Sequence, residues 1–242
     1  MRPFLASLLV LAVYAAPALA APSSAVKDLR QHASRLGGVK GVLKADDPLL
    51  VKAGELIAAV GKEDSAEAAK TLLALTGAPF PSPSVEVTLA ELSRDALAGM
   101  KGKEARGVVY KALKKAIKRP AAALPLAEVV GGWASAESAL ALAPLLQSKD
   151  ERAVKAAARA LGKIQLKEAI APLVDAFEAW QKRGGDPLEV IGRALYDATG
   201  QPLTKAADWR KWWGEVATTW TAEMRPKEEG SGGTKTRPNS FQ

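Results

Sequence analysis

The chain has no cysteine. That excludes disulfide staples, thiolate nucleophiles, lipid attachment through an N-terminal Cys and cysteine-built zinc sites. Histidine is almost as scarce: His32 is the single one, so no paired-His metal site and no Ser-His-Asp triad is expected. It sits in the polar stretch Lys27 to Arg35, where a solvated side chain is the expectation. The carboxylate pairs Asp46-Asp47 and Glu228-Glu229 are neighbours in sequence, and neither has the spacing of an acid and a base held across a cleft. Gly37-Gly38-Val39-Lys40-Gly41 lacks the order of a phosphate-binding loop and reads as a flexible joint. These absences point away from an enzyme and imply neither cofactor nor metal. Aromatics make up only 5% of the chain against 48% apolar residues, rich in Ala and Leu, a balance that favours helices packed on helices.

Long apolar runs are missing except at the start. Arg2-Pro3, the apolar run Phe4 to Tyr14 and the small-x-small site Ala18-Leu19-Ala20 form the three parts of a secretory signal, read as residues 1–20. The mature chain then begins at Ala21 and is exported, periplasmic or secreted. The rival is an uncleaved anchor over the 18 residues Phe4 to Ala21, which Pro17 interrupts. Further on, Ala121 to Leu146 comes nearest to a span, but Pro125, Glu128, Gly131, Gly132, Glu137 and Pro144 break it. After signal cleavage, no integral membrane protein is expected.

What is present is a helical repeat. Ala153, Ala157, Ala158 and Leu161 line one face of a first helix, and Ile170, Leu173, Val174, Phe177 and Trp180 line one face of a second. Such a unit cannot bury its apolar face alone and must stack on others like it. Gly61, Gly131, Gly162 and Gly200 each follow an amphipathic stretch and are expected to end helices in the left-handed conformation. The pattern predicts an all-α solenoid of about five stacked helix pairs with disordered termini. The pairs are 47–60 with 66–75, 87–100 with 104–118, 124–130 with 138–146, 150–181, and 186–197 with 209–223. The expected organisation is a leader at 21–45, repeats over 46–224 and a disordered tail at 225–242. Asp47-Pro48 and Asp186-Pro187 read as helix starts, with Asp capping and Pro in the first turn. Residues 78–83, with alternating Pro, read as a stiff extended connector.

On these residues the chain resembles HEAT repeats, in particular the short bacterial HEAT-like class first noted in phycobilin lyases; the resemblance is best from Asp150 to Gly200. It implies a protein-binding α-solenoid. Nothing marks a bilin pocket, and the His-Glu di-iron set of the HEAT-like hydroxylase is missing. Leu195-Tyr196-Asp197-Ala198-Thr199-Gly200-Gln201 followed by Trp209-Arg210-Lys211-Trp212-Trp213 is similar to the terminal unit of some exported bacterial HEAT-like proteins.

Two features are candidates for contact with a partner. Residues 101–119 hold eight Lys and Arg against Glu104 alone, in a chain whose net charge is +8. Lys111, Lys114, Lys115 and Lys118, at i, i+3, i+4 and i+7, form a stripe suited to an anionic surface, or else a solvated helix end whose cations complement the dipole. Trp209, Trp212, Trp213 and Trp220 fall on one helical face, read first as an end cap and alternatively as an aromatic patch. Trp133 and Trp180 are assigned to the repeat core. The functional expectation is a non-enzymatic protein-interaction scaffold or binding module in the bacterial cell envelope, using a solenoid groove and the basic face, with another protein as partner. The alternative is an electrostatic anchor on anionic lipid or envelope polymer. The export signal argues against nucleic acid.

Overall fold

The computed structural model describes residues 22–220, so the expected signal peptide and tail lie outside the described residues. Those residues form an all-α fold of the solenoid type, without strands, in two compact units that divide between Trp133 and Ala134.

In the first unit α1 (Ser24–Leu36), α2 (Pro48–Lys62), α3 (Ala66–Thr76), α4 (Pro83–Ala98), α5 (Lys103–Ala116) and α6 (Pro120–Gly132) follow one another. The first helices of successive pairs, α2, α4 and α6, pack side by side, as do the second helices α3 and α5. Each second helix also packs on the first helix that follows it, α3 on α4 and α5 on α6. In the second unit α7 (Ala136–Leu142) runs into a 3-10 turn (Ala143–Gln147), followed by α8 (Glu151–Ile164), α9 (Lys167–Arg183), α10 (Pro187–Thr199) and α11 (Ala206–Val216). There α8 packs on α10, and α9 packs on α7 and α11.

The local chemistry of the starts explains this order. First helices open on proline at their first position in Pro48, Pro83, Pro120 and Pro187, where the missing N–H has no intrahelical partner to lose. Second helices open after a tight turn, capped by Ser65 in α3 and Ser135 in α7. The side chains expected inside α8 and α9 are all buried there, each large one contributing about 1.5–3 kcal/mol.

Three of the four expected helix-ending glycines do something else. Gly61, Gly131 and Gly162 lie inside helices, and the left-handed turn comes three residues later at Asp64, Ala134 and Gln165, with φ of 49°, 43° and 50°. Gly200 alone takes the expected role, at φ 71°. Gly61 and Gly162 are needed for space. A Cβ at Gly162 would lie 2.9 Å from Ala194 Cα, and one at Gly61 would lie 3.0 Å from Ala96 Cβ. Non-glycine residues in the left-handed region are strained by roughly 1–2 kcal/mol, and at two of these turns a side-chain bond offsets that cost. The Asp64 carboxylate accepts from Gly102 N at 2.6 Å and from Lys101 N at 3.1 Å. Gln165 Nε2 donates to Asp197 O at 3.1 Å. The first bond ties its turn to the turn of the next pair, and the second ties its turn to the last turn of α10.

Other expectations are also corrected. The leader forms a helix whose apolar side packs inward: α1 buries Val26, Leu29, His32 and Leu36 against α2 and α3. His32 is therefore not solvated, and its Nε2–H donates to Leu49 O at 2.8 Å. The helix expected from Val87 begins at Pro83, inside the expected connector, because proline suits the first turn as well as an extended strand. Asp47 caps α2 through Leu49 N at 2.9 Å, but Asp186 makes no cap and pairs with Lys155 at 3.5 Å.

Candidate interaction surfaces

α5 buries Ala105, Val109, Leu113 and Ala116 and so turns its opposite side to solvent. Lys111, Lys114, Lys115 and Lys118 are all exposed, and none joins an ion pair among the described residues. The helix ends at Ala116, so Lys118 stands in the turn beyond it rather than on the stripe proper. Arg106 leaves the patch: its guanidinium lies 5.1 Å from the Trp133 ring centre, and its Nε donates to Met100 O at 3.0 Å. Trp133 and Trp180 are buried, and Trp133 Nε1 donates to Ala98 O at 3.0 Å.

In the second unit a groove of about 640 Å³ runs between the 3-10 turn and α9. Pro144, Leu146, Pro172, Ala176 and Trp180 line it, and Leu140 stands at its rim, 64% exposed. Pro144 accounts for the shape. In a continued α-helix its ring would meet the carbonyl of Leu140, so α7 tightens to a 3-10 turn. Arg183 stacks 4.3 Å above the Trp180 ring and brings a cation to one side, with Asp175 also in the lining.

The tryptophans divide. Trp209 is fully buried where α11 meets α9. Trp212, Trp213 and Trp220 are half-buried, with Trp212 central: its ring lies 5.8 Å from Trp209, 6.1 Å from Trp213 and 5.5 Å from Trp220. α11 ends at Val216, short of the expected Glu223, but Trp220 N still bonds to Val216 O at 3.0 Å and stays with the cluster.

Charge fastens the same joint. Arg210 on α11 reaches Asp175 at 2.7 Å and Glu178 at 2.8 Å on α9, and Lys182 adds a bond to Glu178 at 2.8 Å. The Lys182 and then the Arg210 hydrogen bonds hold the Glu178 carboxyl below its usual pKa. A lowered folded pKa means that the stabilisation is complete above the ordinary Glu range and is lost as pH falls through the lowered value. Glu178→Gln is therefore expected to melt slightly below the wild type at neutral pH, with the gap closing between about pH 6 and pH 3. Thermal melts across that range check it; a constant gap contradicts the ion-pair account.

Sequence comparison places a family in this architecture. A model of the HEAT-repeat family matches residues 110–183, from the middle of α5 to the end of α9. No curated protein matches the chain. This stretch is thus similar to HEAT repeats, and folds of this kind are commonly protein-interaction scaffolds and typically non-enzymatic. The sequence led to a groove and an end cap without placing the one or naming the Arg210 bonds that fasten the other, although Pro144 following Leu140 at the i+4 position was the available signal for where the groove lies.

Proposed function

We propose that this protein is an exported, non-enzymatic interaction scaffold of the bacterial envelope whose partner is a protein seated in the α7–α9 groove. The observation that carries the reading is the groove itself. Its walls are mostly apolar with Asp175 and Arg183 among them, Trp180 backs it, and the large apolar side chain of Leu140 is left in water at its rim, an arrangement suited to the apolar face of a partner's helix or loop. The signal-like pattern over residues 1–20 supports an envelope location.

The test is capture from envelope extract by the full chain at low and high salt, using three forms. These are the wild type, the exposed-residue variant Leu140→Asp with Ala179→Asp, and the reversal of Lys111, Lys114, Lys115 and Lys118 to Glu. The expected result is one protein retained at high salt by the wild type and the lysine reversal and lost from the groove variant. Retention by the groove variant equal to the wild type, or nothing retained at high salt, overturns the proposal.

A further inference from the structure

We propose that the exposed side of α5 is a docking surface for anionic lipid headgroups, a role separate from the groove and independent of it. Packing fixes which side faces out: with Ala105, Val109, Leu113 and Ala116 inward, Lys111, Lys114 and Lys115 project from the last two turns. Lys118 and Arg119 continue the surface in the following turn, and Lys101 and Lys103 stand at the other end of the helix, all exposed. Glu104 is the only acid among residues 101–119, and these cations have no carboxylate partner among the described residues. Like charges at i, i+3 and i+4 repel, and an external anion relieves that repulsion.

The side-chain chemistry selects among anions. Once Arg106 is committed to Trp133 and Met100, lysine supplies every exposed cation of the segment except Arg119. Lysine is a compact point charge without the planar fork that grips single phosphates or carboxylates bidentately, so the surface responds to charge density more than to the shape of one group. A helix of 14 residues is about 21 Å long, and cations at both ends are satisfied together by a sheet of mobile headgroups. Single-stranded nucleic acid would need aromatic platforms, yet Tyr110 is half-buried and set edge-on against Trp133 at 5.3 Å. At mid-helix Gly107 has open space around it, so no side chain there holds the lysines off a flat surface.

The experiment is cosedimentation of the full chain with phosphatidylcholine vesicles, with and without phosphatidylglycerol. Adsorption through any apolar segment appears on both vesicle types, whereas the lysine face responds to the anionic lipid only. Each lysine near such a surface is worth about a five-fold change, so converting Lys111, Lys114, Lys115 and Lys118 to Gln is expected to weaken binding several hundred-fold. High salt has the same direction of effect. A control variant with Lys149, Lys163, Lys205 and Lys211 changed to Gln removes the same charge from exposed positions elsewhere and is expected to bind nearly as the wild type does. Equal losses in the two variants would reduce the effect to net charge and overturn the proposal. Equal binding to both vesicle types, or binding to soluble polyglutamate with the vesicles ignored, would overturn it as well.

Discussion

Gly162→Val is expected to destabilise the second unit by about 3 kcal/mol or more. A glycine inside a helix is normally a weakness, and replacing it with alanine gains up to about 1 kcal/mol. Here the sign inverts. The first added carbon would meet Ala194 at Cα, Cβ and O, at 2.9, 3.0 and 3.1 Å, and two of those three atoms are backbone that cannot rotate away. Relief requires α8 and α10 to separate, which opens the packing around Leu161 and Leu195, both fully buried. The comparison that isolates the cause is Gly107→Ala in α5, where nothing lies within 4 Å of the added carbon and the ordinary gain should appear. For a unit of this size each kcal/mol moves the melting temperature by roughly 4–8 °C, so Gly162→Val should melt more than about 10 °C below the wild type. Melting of Gly162→Val with the wild type would show that α8 and α10 do not depend on this close approach.

Trp209→Ala is expected to cost about 3–5 kcal/mol and to undock α11 from α9. The indole is fully buried at that joint, and it anchors Trp212 and through it the rest of the aromatic cluster. Near-UV circular dichroism should collapse in the tryptophan bands while the far-UV helical signal falls only slightly. Trp209→Phe sharpens the expectation. Trp209 Nε1 is buried with no acceptor among the described residues, a defect worth about 1–3 kcal/mol, and phenylalanine removes it while keeping much of the ring area. Trp209→Phe should therefore sit close to wild-type stability. A loss as large as that of Trp209→Ala would mean that the lost volume, not the unpaired N–H, dominates.

The repeat core was legible because it depends on periodicity alone. Ala153, Ala157 and Leu161, and Ile170, Leu173 and Phe177, recur at helical spacing, and burial follows from that spacing wherever a second helix is available to cover the face. Helix starts were half legible: Pro48 and Pro187 were recognised beside their Asp, while Pro83 was absorbed into a run of prolines that favours an extended chain equally well. α1 was hidden by its charges. Its buried set includes His32, and the polar residues around it masked a spacing of three, three and four along Val26, Leu29, His32 and Leu36. The glycines misled for a deeper reason. A glycine required by its φ and one required by a neighbour's proximity look identical in a single chain, and only the position of Ala96 or Ala194 separates them. Among the surfaces, the exposure of Lys111 to Lys115 followed from the helical face, whereas the diversion of Arg106 onto Trp133 needed the packing.

The two stitched turns bear on a problem that any stack of similar units faces, slippage of one unit into its neighbour's place. The joints at Asp64 and Gln165 have opposite polarity. The first offers an acceptor to backbone N–H groups at the start of α5, and the second offers a donor to a backbone carbonyl near the end of α10. At the half-buried Asp64 turn an acceptor set against a carbonyl would lose its partner, whereas the exposed Gln165 amide would turn to water. The Asp64 turn thereby adds to the core a preference for the neighbour that presents Lys101 and Gly102 to it.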